Sequence, residues 1–547
     1  MTAPHAPTAA DAERKAALDA VIDAARAGDL PTARQLSRAA LKRGFEHPLM
    51  LNLRALDHEE AGRFELALTD LRRAHVLAPK DYGILNASGL TLGKLNRPEE
   101  AAKCFEQAIA LQPAFGPAWF NRGWSLEQLG RTAEAAASYA KAVELNPENA
   151  QGWANLALLA VKRGDHEATR RFAEKALALE PGLPTAELAL AEAELKTPVE
   201  AEARLRRLLD QRLGAFDKAL ANSLLGDALD AQDQPAAAFA AYGRGNDTFR
   251  AETAPRFEAD GERPLADTLS WMQYWADWLE PARWTAEPDE GRGGEIRHVF
   301  LMGFPRSGTT LAETILLNHP DVASLEERNT LYAGIVDFLG KPADIARLET
   351  ATSRDLRRYR DDYWTRVRQY GGAPDGKIFI DKNPFNALKL PLIYKLFPTA
   401  RIIFSIRDPR DVVLSCFRRR FAINASTYEL LDIRRAAEFY AGAMRLAETL
   451  WPKQPMARYD LVYERLVQDL PGVAREACAF IGADWRDSMA DIAARGRRGE
   501  VASASSAQIA RGLFSDGAGQ WRRYRDQMAP VLPILAPWVE RFGYPAD

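Results

Sequence analysis

Residues 296–319 read IRHVFLMGFPRSGTTLAETILLNH, and this stretch decides how the second half of the chain folds. Its opening, IRHVFLMGF, is apolar and β-rich, which predicts a buried strand, and its close, LAETILLNH, has helical periodicity. Between them lies a short polar loop of Pro305, Arg306, Ser307, Gly308, Thr309 and Thr310. Strand, loop and helix in that order make an anion cradle. Consecutive backbone N–H groups and a helix N-terminus converge on negative charge, and Ser and Thr hydroxyls add donors.

Against the phosphate-loop pattern G-x-x-x-x-G-K-[ST], Gly303, Gly308 and Thr310 stand in place, but Thr309 occupies the lysine position. That lysine reaches the β- and γ-phosphates of a triphosphate, so its absence points to a shorter anion, such as a phosphosulfate. A second apolar run, RIIFSI at 401–406, ends in Arg407-Asp408-Pro409-Arg410-Asp411 and then a helix carrying Ser415 and Arg419. Arginine at a strand end and serine on the following helix can grip a further phosphate through charge-assisted bonds, so two anion sites are expected.

The first half has a different logic. Pro79, Pro113, Pro147 and Pro181 recur every 34 residues, as do Gly62, Asn96, Gly130 and Gly164. Asn at the second of these positions is the residue best able to replace glycine in a left-handed turn. Ala55, Gly89, Gly123 and Ala157 supply a small residue where two helices would cross, and Leu51, Leu85, Trp119 and Trp153 a large one. These residues resemble the tetratricopeptide repeat, a helix-turn-helix that stacks into a superhelix and offers a groove to protein or peptide. Four well-registered units run from about 46 to 181, with a degenerate unit before them and two looser ones after. The register is gone by 251, and Trp271, Trp275 and Trp278 then fall on one helix face, which reads as a packing stripe of a junction helix.

Composition narrows the class. In 547 residues, 72 Lys and Arg against 75 Asp and Glu give a net charge of −3, so no global basic field recommends nucleic acid or an anionic membrane. Cys104, Cys416 and Cys478 are too scattered for a metal cluster and too few for a disulfide framework, which fits a reducing, cytoplasmic setting. No apolar run of about 18 residues suggests an anchor, and no signal peptide is visible.

Taken with the spacing of Asn318-His319-Pro320, Glu326-Glu327, Lys382-Asn383-Pro384-Phe385 and Tyr463-Glu464-Arg465, the second half resembles the sulfotransferases that use 3'-phosphoadenosine 5'-phosphosulfate (PAPS), and among them the tyrosylprotein sulfotransferases. The resemblance covers about 296–544. It implies that Arg306, Ser307, Gly308, Thr309 and Thr310 hold the phosphosulfate, that Arg407, Ser415 and Arg419 hold the 3'-phosphate, and that Tyr463 and a segment with Ser505, Gln508 and Arg511 surround the adenosine. It further implies Glu327 as general base and Lys382 as the cation facing the leaving oxygen, with Ser505 and Arg306 assisting and no metal. Glu326, or His319 as in small-molecule sulfotransferases, would be rival bases, and Asp381 a rival metal ligand. The family's animal members are membrane-anchored and lumenal, unlike the setting expected here, and Arg328 follows the Glu pair directly where they have a small residue.

The expected architecture is an α-helical tetratricopeptide-repeat solenoid over 1–250, a junction over 251–294, and an α/β P-loop-like sulfotransferase domain with a central, mainly parallel sheet over 295–547. The expected activity is sulfuryl transfer from PAPS to a hydroxyl, foremost tyrosine of a protein or peptide recruited by the repeats; a homodimer is allowed. Transfer to a saccharide or small molecule, a P-loop kinase, and a non-catalytic adaptor stay open at this point.

Overall fold

The computed structural model describes residues 9–258, 264–278, 297–453, 456–492 and 517–547, and separates into two compact units, Met1–Ala193 and Glu194–Asp547.

The first unit is a stack of helical hairpins. Pro48–Glu60 pairs with Phe64–Leu77, Tyr82–Lys94 with Pro98–Leu111, Gly116–Gln128 with Thr132–Leu145, and Ala150–Lys162 with His166–Leu179. The turn inside each hairpin needs one left-handed residue, and Gly62, Asn96, Gly130 and Gly164 supply it at φ 69°, 57°, 72° and 75°. Gly28, one register upstream, has φ 76°, so the degenerate first unit keeps the same turn. The small residue at each crossing is required by its partner ring. A Cβ added at Gly89 would stand 2.5 Å from Phe105, and at Gly123 2.7 Å from Tyr139. Trp119 and Trp153 each donate an indole N–H at 2.9 Å to the carbonyl of Pro113 or Pro147, so the large residue of the repeat also ties down the proline stop before it.

The second unit opens with helices and continues into a sheet. The hairpin of α1 (Ala215–Ala231) and α2 (Pro235–Phe257) is built like a repeat: Asp233 takes the left-handed turn at φ 56°, and a Cβ at Gly226 would stand 2.4 Å from Tyr242. Next, α3 (Pro264–Trp278) lies on the helix Ile433–Leu450, where Gly442 makes room for Leu269 and Met272. Trp275 is buried there, as the packing stripe predicts; the side chain of Trp278 lies outside the described residues.

Five strands follow, β1 (Arg297–Met302), β2 (Val322–Glu326), β3 (Ile378–Lys382), β4 (Arg401–Ile406) and β5 (Arg458–Val462), all parallel in the order β2-β3-β1-β4-β5. Central β1 and β3 are almost wholly buried, which is why they read as unbroken apolar runs. The chain moves from β1 to one side of the sheet for β2 and β3, then crosses to the other side for β4 and β5. The winding therefore reverses between β1 and β4, and the loops leaving their carboxyl ends diverge to leave a crevice, the usual place for a ligand on such a sheet.

Candidate active site

The loop that leaves β1 runs into α4 (Thr309–Leu317). Its backbone is strained at a non-glycine position, Arg306 at φ 70°, and passes through Gly308 at φ 104° to reach the helix. β4 holds it close: Ser405 Oγ donates to the carbonyl of Ser307 at 2.8 Å, and a Cβ at Gly303 would stand 2.6 Å from the carbonyl of Ser405. Thr309 and Thr310 form the buried first turn of α4, and the Ser307 hydroxyl is buried with no partner among the described residues.

Positive charge gathers around this loop. Arg306 Nε donates to Ser415 Oγ at 3.0 Å, and Arg407 Nη1 donates to the carbonyl of Arg306 at 3.0 Å. Burial, then the nearby charges of Arg419 and Arg407, push Arg306 down to about 9, still a cation at neutral pH. Arg407 also stacks over Tyr463, 4.7 Å from guanidinium to ring centre, and its Nε is buried without a partner among the described residues. Tyr463 in turn covers the loop: a Cβ at Gly308 would lie 2.7 Å from its ring.

The rest of the Arg-Asp-Pro-Arg-Asp run holds structure together. Asp408 caps α5 (Pro409–Arg418) by accepting from Arg410 N at 3.0 Å and pairs with the Arg410 guanidinium at 2.8 Å. Arg410 donates onward to the carbonyls of Pro545 and Ala546, and Asp411 accepts from the backbone N–H of Gly519 and Trp521. Among the described contacts of the motif, it is Arg407 that reaches the loop, through the carbonyl of Arg306.

A second cluster sits at the ends of β2 and β3. The strand register sets Glu326 beside Lys382, and Glu327 N donates to the carbonyl of Lys382 at 2.8 Å while its own φ is 48°. The Lys382 side chain is fully buried and meets Glu327 at 2.8 Å, Glu326 at 3.0 Å and Glu313 at 3.3 Å; the exposures of these carboxylate side chains are 48%, 23% and 5%. Burial works against the lysine charge, but Glu313, Glu327 and Glu326 together outweigh it and hold the ammonium well above the ordinary lysine range. Glu313, on α4, is pushed up to about 7, first by burial and then by Glu326, with Lys382 opposing.

The structure thus brings Arg306, Ser307, Gly308, Thr309, Thr310, Arg407, Ser415, Arg419 and Tyr463 around one loop, and Glu327 and Lys382 into one ion pair two strands away from β4. Ser505, Gln508 and Arg511 lie outside the described residues. Of the rivals, His319 accepts from Asp321 N at 3.1 Å in the turn that ends α4's extension, and Asp381 is engaged by Thr330, Tyr363 and Asn386 at 2.8, 2.8 and 3.1 Å. Glu313 is the site residue that sequence reasoning missed. Its only signal was a carboxylate five residues past the cradle's Gly308 in a helix with no other charged residue.

An anion suits these residues. Three guanidinium groups, a buried hydroxyl without a partner among the described residues and a helix N-terminus gather positive potential on the loop side. A phosphosulfate and a phosphate carry the charge and acceptor oxygens that this arrangement wants.

Comparison with known proteins agrees with that chemistry. Residues 298–487 match the sulfotransferase family model, and 18–82, 86–150 and 122–184 match the tetratricopeptide repeat. An uncharacterised Aquifex aeolicus protein is 29% identical over 272 residues, 47% of this chain, and the chain spans only 34% of that relative's length. A protein-tyrosine sulfotransferase 1 of Danio rerio is 26% identical over 263 residues, 45% of this chain and 72% of its own. A Caenorhabditis briggsae protein assigned to the same class is 31% identical over 194 residues, 35% of this chain and 67% of its own. A cradle without the triphosphate lysine, followed by an acid–lysine pair, is thus set in a stretch matched over most of its strands, and the chain belongs to the sulfotransferase family.

Proposed function

We propose that the protein transfers a sulfuryl group from PAPS to the tyrosine hydroxyl of a protein or peptide that its repeats recruit. The observation that carries this reading is the Glu327–Lys382 pair at 2.8 Å, set at the carboxyl ends of the same sheet whose β1 and β4 loops bear the arginine-lined cradle. The donor would supply an activated sulfuryl group. Arg306 to Thr310 would hold its sulfate end, and Arg407, Ser415 and Arg419 its 3'-phosphate, with Tyr463 against the nucleoside.

The ion cluster supports a division of roles. An ammonium has three N–H donors, and Lys382 already faces three carboxylates. An anionic oxygen can approach Nζ only if one carboxylate yields, and Glu327, the most exposed, gives way at least cost. In doing so it becomes free to accept the proton of the incoming hydroxyl, while Lys382 stabilises charge on the leaving oxygen. Entry of the donor and release of the base are then one event. A phenol, with a pKa near about 10, suits a carboxylate base better than an alkyl alcohol does, and the names of the Danio and Caenorhabditis relatives favour the same acceptor.

The test is transfer of labelled sulfate from PAPS to tyrosine-containing peptides in the presence of EDTA. Label on tyrosine is expected. Label confined to saccharide or to nothing in a lysate would overturn the acceptor assignment, and dependence on Mg²⁺ and ATP would overturn the donor.

A further inference from the structure

The repeat-like hairpin of α1 and α2 is fastened to the elements assigned to the nucleotide 3'-phosphate, and one of its side chains reaches two of those elements at once. Asp230, at the end of α1, is paired with Arg418, the last residue of α5, and stands 2.8 Å from Arg523 Nη1; it also accepts from Tyr524 OH at 2.6 Å. Asp230 thus binds two separate parts of the second unit. Arg418 lies between Ser415 and Arg419 in sequence, and residues 523–524 follow the segment 517–521 that receives Arg407 at Gly517 and Asp411 at Gly519 and Trp521.

Apolar packing strengthens the joint. Phe239 of α2 stacks on Phe417 with ring centres 4.8 Å apart, and Asn246 donates to the carbonyl of Phe417 at 2.9 Å. Arg418 is nearly buried between the rings of Tyr242 and Tyr524, 5.3 and 5.2 Å from their centres. A buried guanidinium needs its counter-ion, and Asp230 is the carboxylate that supplies it.

We infer that Asp230 is a positioning residue for the donor site: it fixes the C-terminal end of α5 and the backbone of 517–524, and through them Ser415, Arg419 and Arg407. Resting as it does on the donor assignment made above, this adds that the last hairpin of the repeat series supports the nucleotide site through the Asp230 joint. Such coupling is reciprocal, so occupation of the donor site should in turn stiffen the hairpin.

Calorimetric titration of the full-length protein with adenosine 3',5'-bisphosphate tests this. Asp230→Asn should raise Kd by about tenfold or more, with kcat at saturating PAPS little changed. Asp230→Glu should recover part of the loss. Leu224→Ala, which opens a cavity in the buried part of the same hairpin and removes none of the polar contacts of Asp230, should lower the melting temperature but leave Kd near the wild-type value. If Leu224→Ala and Asp230→Asn weaken binding alike, or if Asp230→Asn binds as wild type does, the inference is wrong while the donor reading stands. If wild type fails to bind the bisphosphate, the donor reading itself is wrong. Should Asp230→Asn not fold, hydrogen exchange on wild type decides: the bisphosphate is expected to slow exchange at 228–246, and unchanged rates there would overturn the inference.

Discussion

At the scale of single residues, the site is governed by how many carboxylates one lysine can satisfy. Lys382→Ala leaves Glu313, Glu326 and Glu327 crowded with no cation, so Glu313 takes a proton and the pocket survives with its electrophilic partner gone. We expect kcat to fall about 10²–10³-fold with Kd for the bisphosphate nearly intact; a loss under about threefold would remove Lys382 from the chemistry. Glu313 gives a pH test with a defined sign. Its folded value, about 7, lies above the roughly 4.3 of an unfolded glutamate, so the folded state binds its proton more tightly. The stability it contributes is complete below about pH 4.3 and gone once pH passes about 7. Wild type should therefore lose stability relative to Glu313→Gln as pH rises from about 5 to 8, measured as urea midpoints, and parallel curves would refute the shift.

At the scale of elements, the repeat turns make the sharpest prediction, because one position does a glycine's work without being one. Asn96→Ala keeps the left-handed φ but loses the amide that tolerates it, and should cost about 1 kcal/mol, while Asn96→Gly should be neutral or better. Thermal unfolding of the two variants would distinguish them. This turn was legible in the sequence because a fixed period lets each position be read four times. The strand-loop-helix cradle was legible too, since fully buried parallel strands show as apolar runs and the loop as punctuation. Strand order was not, for nothing in 401–406 says which neighbour it takes. Within the Arg-Asp-Pro-Arg-Asp run the sequence points to a role for Arg407 alone, and the structure shows what Arg410 and Asp411 do: they serve the backbone of 517–546. Distances in sequence of more than 100 residues hide that division of labour. Glu313 was hidden for a similar reason: on its own helix it is a lone charged residue, and only the fold reveals the lysine it faces.

For the whole molecule, the boundary between units bears on experiment. Removing Met1–Ala193 takes away the regular hairpins but leaves α1 and α2, so bisphosphate binding should persist while turnover of a protein acceptor drops. A cut at about 250 removes Asp230 and Phe239 as well, and should abolish both. Equal behaviour of the two truncations in a binding titration would separate the hairpin from the donor site after all. The joint between that hairpin and residues 417 and 523–524 also sets a timetable for synthesis. Helices of the first half close on near neighbours and can settle as they emerge, whereas Phe239 and Asp230 must wait for partners encoded far downstream, on the order of tens of seconds at about 5–20 residues per second. Throughout that interval the ribosome carries a sticky, half-finished surface, which should make the nascent chain a client of holdase chaperones and its yield sensitive to how fast translation runs.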